Sequence, residues 1–156
     1  MSDDVTVNIR GLEDLQRKLE EIGHNVAKRG VRQALRAGAV PVREAMAAAA
    51  PKDSGFLSEH IDIKTRMDKD ELAGAAFIGP NSKAVYPRGE VARELARKLG
   101  NRFARGTKQY FAWVVARFLE FGTRKMAKKP FMTQGWETSK QSALDAIIQK
   151  LKDNLK

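Results

Sequence analysis

The sequence predicts an α+β fold in which a small antiparallel sheet packs against a long kinked helix and a C-terminal helix. Three observations predict it. Short stretches alternate apolar and polar residues on either side of a turn, the period of a half-buried strand. Two long stretches space their apolar residues by three and four, the period of a helix with one buried side. The chain order of strand, helices, hairpin, strand and helix segregates the helices from the sheet. The 156 residues suit a single domain, 1–156, with a basic insertion at about 81–108.

The elements follow in order. Val5-Thr6-Val7-Asn8-Ile9-Arg10 alternates and reads as a strand, which Gly11 ends. Leu12, Leu15, Leu19 and Ile22 then follow helical spacing, with Glu13 and Asp14 in the first turn where the helix dipole favours acids. A longer helix is expected from His24 to Ala49. Its apolar side is Ala27, Val31, Ala34, Leu35, Gly38, Val42, Ala45, Met46 and Ala49, with Lys28, Arg29, Arg32, Arg36 and Arg43 mostly off it. Pro41 lies inside and predicts a kink near Gly38–Pro41. The turn cluster at Ala50–Gly55 ends this helix.

His60 to Met67 and Leu72 to Gly79 read as two antiparallel strands around Asp68-Lys69-Asp70. A polar loop leads to a helix from Glu90 to Leu99, where Glu90 and Glu94 stand within pairing reach of Arg93 and Arg97. Asn101 to Lys108 is a basic connector. Tyr110 to Val115 is rich in aromatic and β-branched residues and is expected as a strand, while Ala116 to Phe121 fits either strand or short helix. A glycine-led basic loop, Gly122 to Lys129, precedes Pro130 and a last helix beginning near Phe131, with Leu144, Ile147, Ile148, Leu151 and Leu155 on its apolar side.

The net charge of +10 is not spread evenly. Residues 1–80 sum to −1 and residues 131–156 to +1, so residues 81–130 carry the remaining +10. Charge concentrated in this way suits an acidic partner, either nucleic acid or an anionic protein face. The acidic first residues argue against a signal peptide, and no apolar stretch is long enough for a membrane span.

Catalytic chemistry finds little to work with. There is no cysteine, and the two histidines, His24 and His60, lie far apart without a carboxylate cluster. A metal site needs three or more ligands, so neither a metal nor another cofactor is expected. No nucleophile elbow, phosphate loop or dinucleotide fingerprint occurs, and an enzyme is not expected. Sequence-independent nucleic-acid binding through residues 81–130 is the rival reading, since Tyr86, Phe103, Tyr110, Phe111, Trp113, Phe118 and Phe121 stand among cations. No nucleic-acid-binding module is recognisable, and core packing accounts for most of these aromatics. Phe103, in the connector, is the one expected outside the core.

The most specific segment is Phe118-Leu119-Glu120-Phe121-Gly122-Thr123-Arg124-Lys125-Met126-Ala127-Lys128-Lys129-Pro130-Phe131-Met132. Gly122 is placed for a backbone angle closed to other residues, and Thr123 to bond its turn. Pro130 sets the helix entry, with Phe131 on the core. Glu120 would pair with a basic residue of its loop or of a neighbouring subunit. The turn does not need Arg124, Lys125, Lys128 or Lys129, so these are expected to face a partner.

This segment resembles the signature of a phage tail-component family, the tail-completion or neck proteins of long-tailed, lambda-like phages. Val7 to Leu15 and the Ala50-Pro51, Ser54-Gly55-Phe56-Leu57 midpoint are similar to that family's opening and middle. The long basic link from Asn81 to Lys108 departs from its pattern. The resemblance implies a non-enzymatic virion protein, made in the host cytoplasm, that completes the tail and joins it to the head connector as a subunit of a ring, with a hexamer expected. Implied partners are copies of itself, the tail terminator or tail tube protein and the head-closure protein. The implied contact surface is Glu120 to Arg124, Lys125 and Lys128 to Phe131. An acidic protein rim, or the genome in the channel, would meet Arg88, Arg93, Arg97, Lys98, Arg102, Arg105 and Lys108.

Overall fold

The computed structural model describes residues 23–52, 55–68, 73–87, 89–99 and 110–154. The strand expected at Val5–Arg10, the helix expected from Leu12 and the connector at 101–108 lie outside them. Among the described residues seven elements follow one another: α1 (His24–Ala49), α2 (Phe56–Glu59), β1 (Ile61–Met67), β2 (Gly74–Pro80), α3 (Glu90–Leu99), α4 (Ala112–Phe121) and α5 (Phe131–Asn154).

The frame is an antiparallel pair of long helices. Asn154 Nδ2 donates to the Gly30 carbonyl at 3.3 Å, Gly38 lies against Ile147 and Ala143, and Gly135 lies against Met46. The two helices therefore run in opposite directions along the whole of α5. The seam steps by four residues on both sides. Ala34, Gly38, Val42 and Met46 are buried on α1; Phe131, Gly135, Ser139, Ala143 and Leu151 are buried on α5. Many of these residues are small, and that lets the helix backbones approach. A Cβ on Gly135 would stand 2.7 Å from the Cα and backbone N of Met46, closer than real Cβ atoms come. The seam's one buried hydroxyl, Ser139 Oγ, donates to the Gly135 carbonyl at 2.6 Å, so it leaves no polar group orphaned.

Helix α1 runs through Pro41, whose ring offers no N–H to the Ala37 carbonyl. The expected kink region at Gly38–Pro41 does not end the helix. It ends at Ala50, held extended (φ −63°, ψ 142°) as the residue before a proline prefers.

The hairpin lies along α1. Its register pairs Ile61 with Pro80 and Met67 with Gly74, and period two then turns Ile61, Ile63, Thr65 and Met67 to one face. Gly74 is where the sheet presses on α1: a Cβ there would come 2.8 Å from the Arg66 carbonyl and 3.2 Å from Leu35.

A second, compact cluster gathers at the α1 C-terminal end. Val42, Met46 and Ala50 of α1 meet Leu57, Ile61, Tyr86, Tyr110, Ala112, Val115, Ala116 and Phe131. Phe56 stacks on His60 with centroids 4.0 Å apart and meets Tyr86 at 4.4 Å.

The region expected as a strand at Tyr110–Val115 is a correction. Only Phe111 pairs, in a single antiparallel bridge with Val85, and the chain then turns into α4. The physical reason is packing. Ala112, Val115 and Ala116 are buried at helical spacing, so a helix hides the apolar residues that a strand would have divided between two faces. The undecided stretch Ala116–Phe121 is the rest of that helix.

Candidate functional site

The region between α4 and α5 is built to hold a loop still. Gly122 closes α4, its N–H bonding the Phe118 carbonyl at 2.8 Å, with φ +77° and ψ 176°. That backbone angle favours glycine, and a Cβ there would also crowd the Lys128 N and Met126 O at 3.1 Å. Thr123 and Met126 exchange backbone bonds at 2.9 and 3.2 Å, and Thr123 Oγ1 accepts from the Lys125 N–H at 3.2 Å. At the far side the Lys129 N–H donates to the Leu119 carbonyl at 2.6 Å. The loop is thus tied to α4 at both ends and to itself across its middle.

Glu120 locks the same corner from within. It is 7% exposed, and its Oε2 accepts from the Met132 N–H and its Oε1 from the Thr133 N–H, both at 3.0 Å. The Thr133 hydroxyl donates to Oε1 as well. Helix α5 begins with N–H groups that have no partner in their own helix, and a carboxylate beside them also meets the positive end of the helix dipole. Glu120 therefore turns inward and caps α5, where the sequence suggested an outward pairing with a cation. Phe131 follows on the inside, 1% exposed.

What this frame leaves outside is cationic and aromatic. Of the ten residues expected at the contact surface, Phe121, Arg124, Lys125, Lys128, Lys129 and Pro130 are exposed, Gly122 and Thr123 are half-buried, and Glu120 and Phe131 are buried. Phe121 is 75% exposed. Four and eight residues before it, Arg117 is exposed and Trp113 is 43% exposed. Spacing of four puts the three on one side of α4. The sequence reading missed this row, because it assigned Trp113 to a buried strand; the recurrence at 113, 117 and 121 was the available signal. Tyr86 and Tyr110 do lie in the core, and burial raises the Tyr110 phenol above its ordinary pKa.

The second cationic group divides. Arg93, Arg97 and Lys98 are exposed on α3. Arg88, Arg102, Arg105 and Lys108 lie outside the described residues. Glu94 pairs with Lys98 at 2.6 Å, one turn on, and also feels the charge of Arg97. The hydrogen bond from Lys98, then its charge, lowers the Glu94 pKa from the ordinary value. Helix α3 is not cut off from the body, since Leu95 and Ala96 pack against the core cluster, and the two sides of this span meet where the Tyr86 N–H donates to the Tyr110 carbonyl at 2.8 Å. The Ala112 N–H bonds the Ala84 carbonyl at 2.9 Å, completing the latch.

His60 and Asp62, the closest candidates for a metal pair, are engaged in structure: His60 Nδ1 bonds the Phe56 carbonyl at 2.7 Å, and Asp62 accepts from Asn81 Nδ2 at 2.7 Å. Among the described residues no group of three His, Cys, Asp or Glu side chains is placed to hold a metal ion, and no helix is long and apolar enough to cross a membrane.

Residues 13–122 match the model of the family described as "Bacteriophage HK97-gp10, putative tail-component". The chain belongs to this family. It is a structural tail component of a bacteriophage, as the resemblance of its motifs implied. The match takes in α1 to α4 and stops at Gly122, so the cationic loop and α5 lie beyond the matched residues. No curated protein and no solved structure matches the chain significantly.

Proposed function

We propose that this tail component completes the tail and joins it to the head connector, working in the virion as a subunit of a closed ring. Its partners on this reading are copies of itself, the tail terminator or tube protein and the head-closure protein. The observation that carries the proposal is the loop 122–130. It displays four exposed cations on a backbone pinned by Gly122, Thr123, Lys129 and the buried Glu120. A turn alone needs none of those cations. A contact surface needs them held in place, because charges fixed before docking lose less freedom when a partner arrives. Glu120 and Phe131 then serve the surface through the shape they hold.

Neutralising Arg124, Lys125, Lys128 and Lys129 together tests this. Exposed charges contribute little to stability, so the melting temperature should stay within a few degrees while phage carrying the variant accumulate separate heads and tails. Normal particle yield from that variant would refute the reading.

The outward Trp113 and Phe121 beside cations favour one second reading, a sequence-independent nucleic-acid-binding protein. DNA binding by the purified chain across a salt series separates the two. Tight binding that falls steeply with salt supports the second reading, and negligible binding near physiological salt supports assembly.

A further inference from the structure

The molecule is polar from end to end. Helix α1 starts just after Gly23 and meets the α4 cluster only from Val42 onward. From Gly23 to Met46 is about 35 Å of helix at 1.5 Å per residue. The aromatic row of α4 and the cationic loop therefore sit at one end of the long helix pair, and residues 1–22 join the body at the other. That segment carries Asp3, Asp4, Glu13, Asp14, Glu20 and Glu21 against Arg10, Arg17 and Lys18, a net of −3. Its sequence also spaces Leu12, Leu15, Leu19 and Ile22 as one apolar side of a helix.

We infer that residues 1–22 of one copy dock on the surface formed by Trp113, Arg117, Phe121, Arg124, Lys125 and Lys128 of the next. This rests on the ring reading above and names the contact that would build the ring. The occupant is chosen by chemistry. The surface offers aromatic side chains with a basic border, and the segment offers leucines with an acidic border. The exposed acids along α5 are less suited, since Glu137 is held by Lys140 at 2.6 Å, Asp145 accepts from Gln141 at 3.2 Å and Asp153 accepts from Gln149 at 3.1 Å. Duplex DNA would engage the cations but give no burial to Trp113 and Phe121, because its bases are already stacked. Docking from the opposite end also fits between neighbours better than within one chain. A head-to-tail contact of unlike surfaces is the kind that closes into a ring by rotation.

The experiment uses two full-length variants and sedimentation velocity. The surface variant is Phe121→Ser, Arg124→Glu, Lys125→Glu. The segment variant is Glu13→Lys, Asp14→Lys, Glu20→Lys, Glu21→Lys. Each alone should associate at least about 30-fold more weakly than wild type, the scale of losing a central aromatic or several charge pairs. Mixed one to one, the intact segment of the first meets the intact surface of the second. A two-subunit species and nothing larger should then form, since the remaining faces of that pair are both damaged. If the triple variant melts early, Phe121→Ser alone replaces it, because that ring is mostly in solvent.

A mixture that stays monomeric overturns the inference, as does a segment variant that assembles like wild type; in both cases wild-type rings would leave the ring reading standing. Wild-type protein that is monomeric at every concentration and salt removes the ring reading and this contact with it. Assembly that appears only when DNA is added overturns it in favour of the nucleic-acid reading.

Discussion

The α1–α5 seam and the α4–α5 corner both bring α5 against another helix, by opposite means. The seam works by subtraction: Gly38, Gly135, Ser139 and Ala143 remove side-chain volume until backbones nearly touch. The corner works by addition: a buried carboxylate, a threonine hydroxyl and five backbone bonds tie a short loop in place. Packing by close approach tolerates no insertion, whereas a hydrogen-bonded corner can carry any exposed side chains its backbone allows. That difference explains why the uniform part of the molecule is the seam and the chemically distinctive part is the corner.

Three substitutions bear on this contrast. Gly135→Val should be the most damaging, at about 3 kcal/mol, because the new atoms meet the Met46 backbone and not a mobile side chain; chemical denaturation measures it, and a loss under about 1 kcal/mol would mean the helices part easily. Glu120→Ala should cost about 2 kcal/mol, leaving the first N–H groups of α5 without their buried acceptor. Faster amide exchange at Met132 and Thr133 should accompany that loss, and unchanged exchange would show the cap to be idle. Gly30→Ala should go the other way. Its Cβ would lie 3.6 Å from Asn154 Nδ2, an ordinary contact, so the helix preference of alanine over glycine should stabilise by about 0.5–1 kcal/mol. A lower melting temperature for Gly30→Ala would show the seam as tight at this end as at Gly135.

The long helices and the hairpin were legible because their residues repeat: α1 and α5 in steps of three and four, β1 in steps of two. On α5 the sequence pointed to Leu144, Ile147, Ile148 and Leu151, yet the buried row also runs back through Ala143, Ser139 and Gly135. Small residues carry little hydrophobic signal, although they decide how near two helices come. For α4, local preference and tertiary packing disagreed. Tyr110 and Phe111 favour a strand, but the buried faces of Ala112 and Ala116 determined the outcome. At the corner, Gly122, Thr123, Pro130 and Phe131 could be read because turn geometry constrains residue type locally. The inward role of Glu120 could not, since its partners lie 12 and 13 positions away. Nor could the shared outward row of Trp113, Arg117 and Phe121, which exists only because a helix already begins at Ala112, although the resemblance had placed Phe121 on the contact surface.

The latch between Tyr86 and Tyr110 sets how much change of length the chain between them tolerates. Chain entering and leaving through adjacent, bonded residues closes a loop whose entropy grows only slowly with its length. Length can therefore be added to or trimmed from the span between those tyrosines at small entropic cost, provided α3 keeps Leu95 and Ala96 on the core.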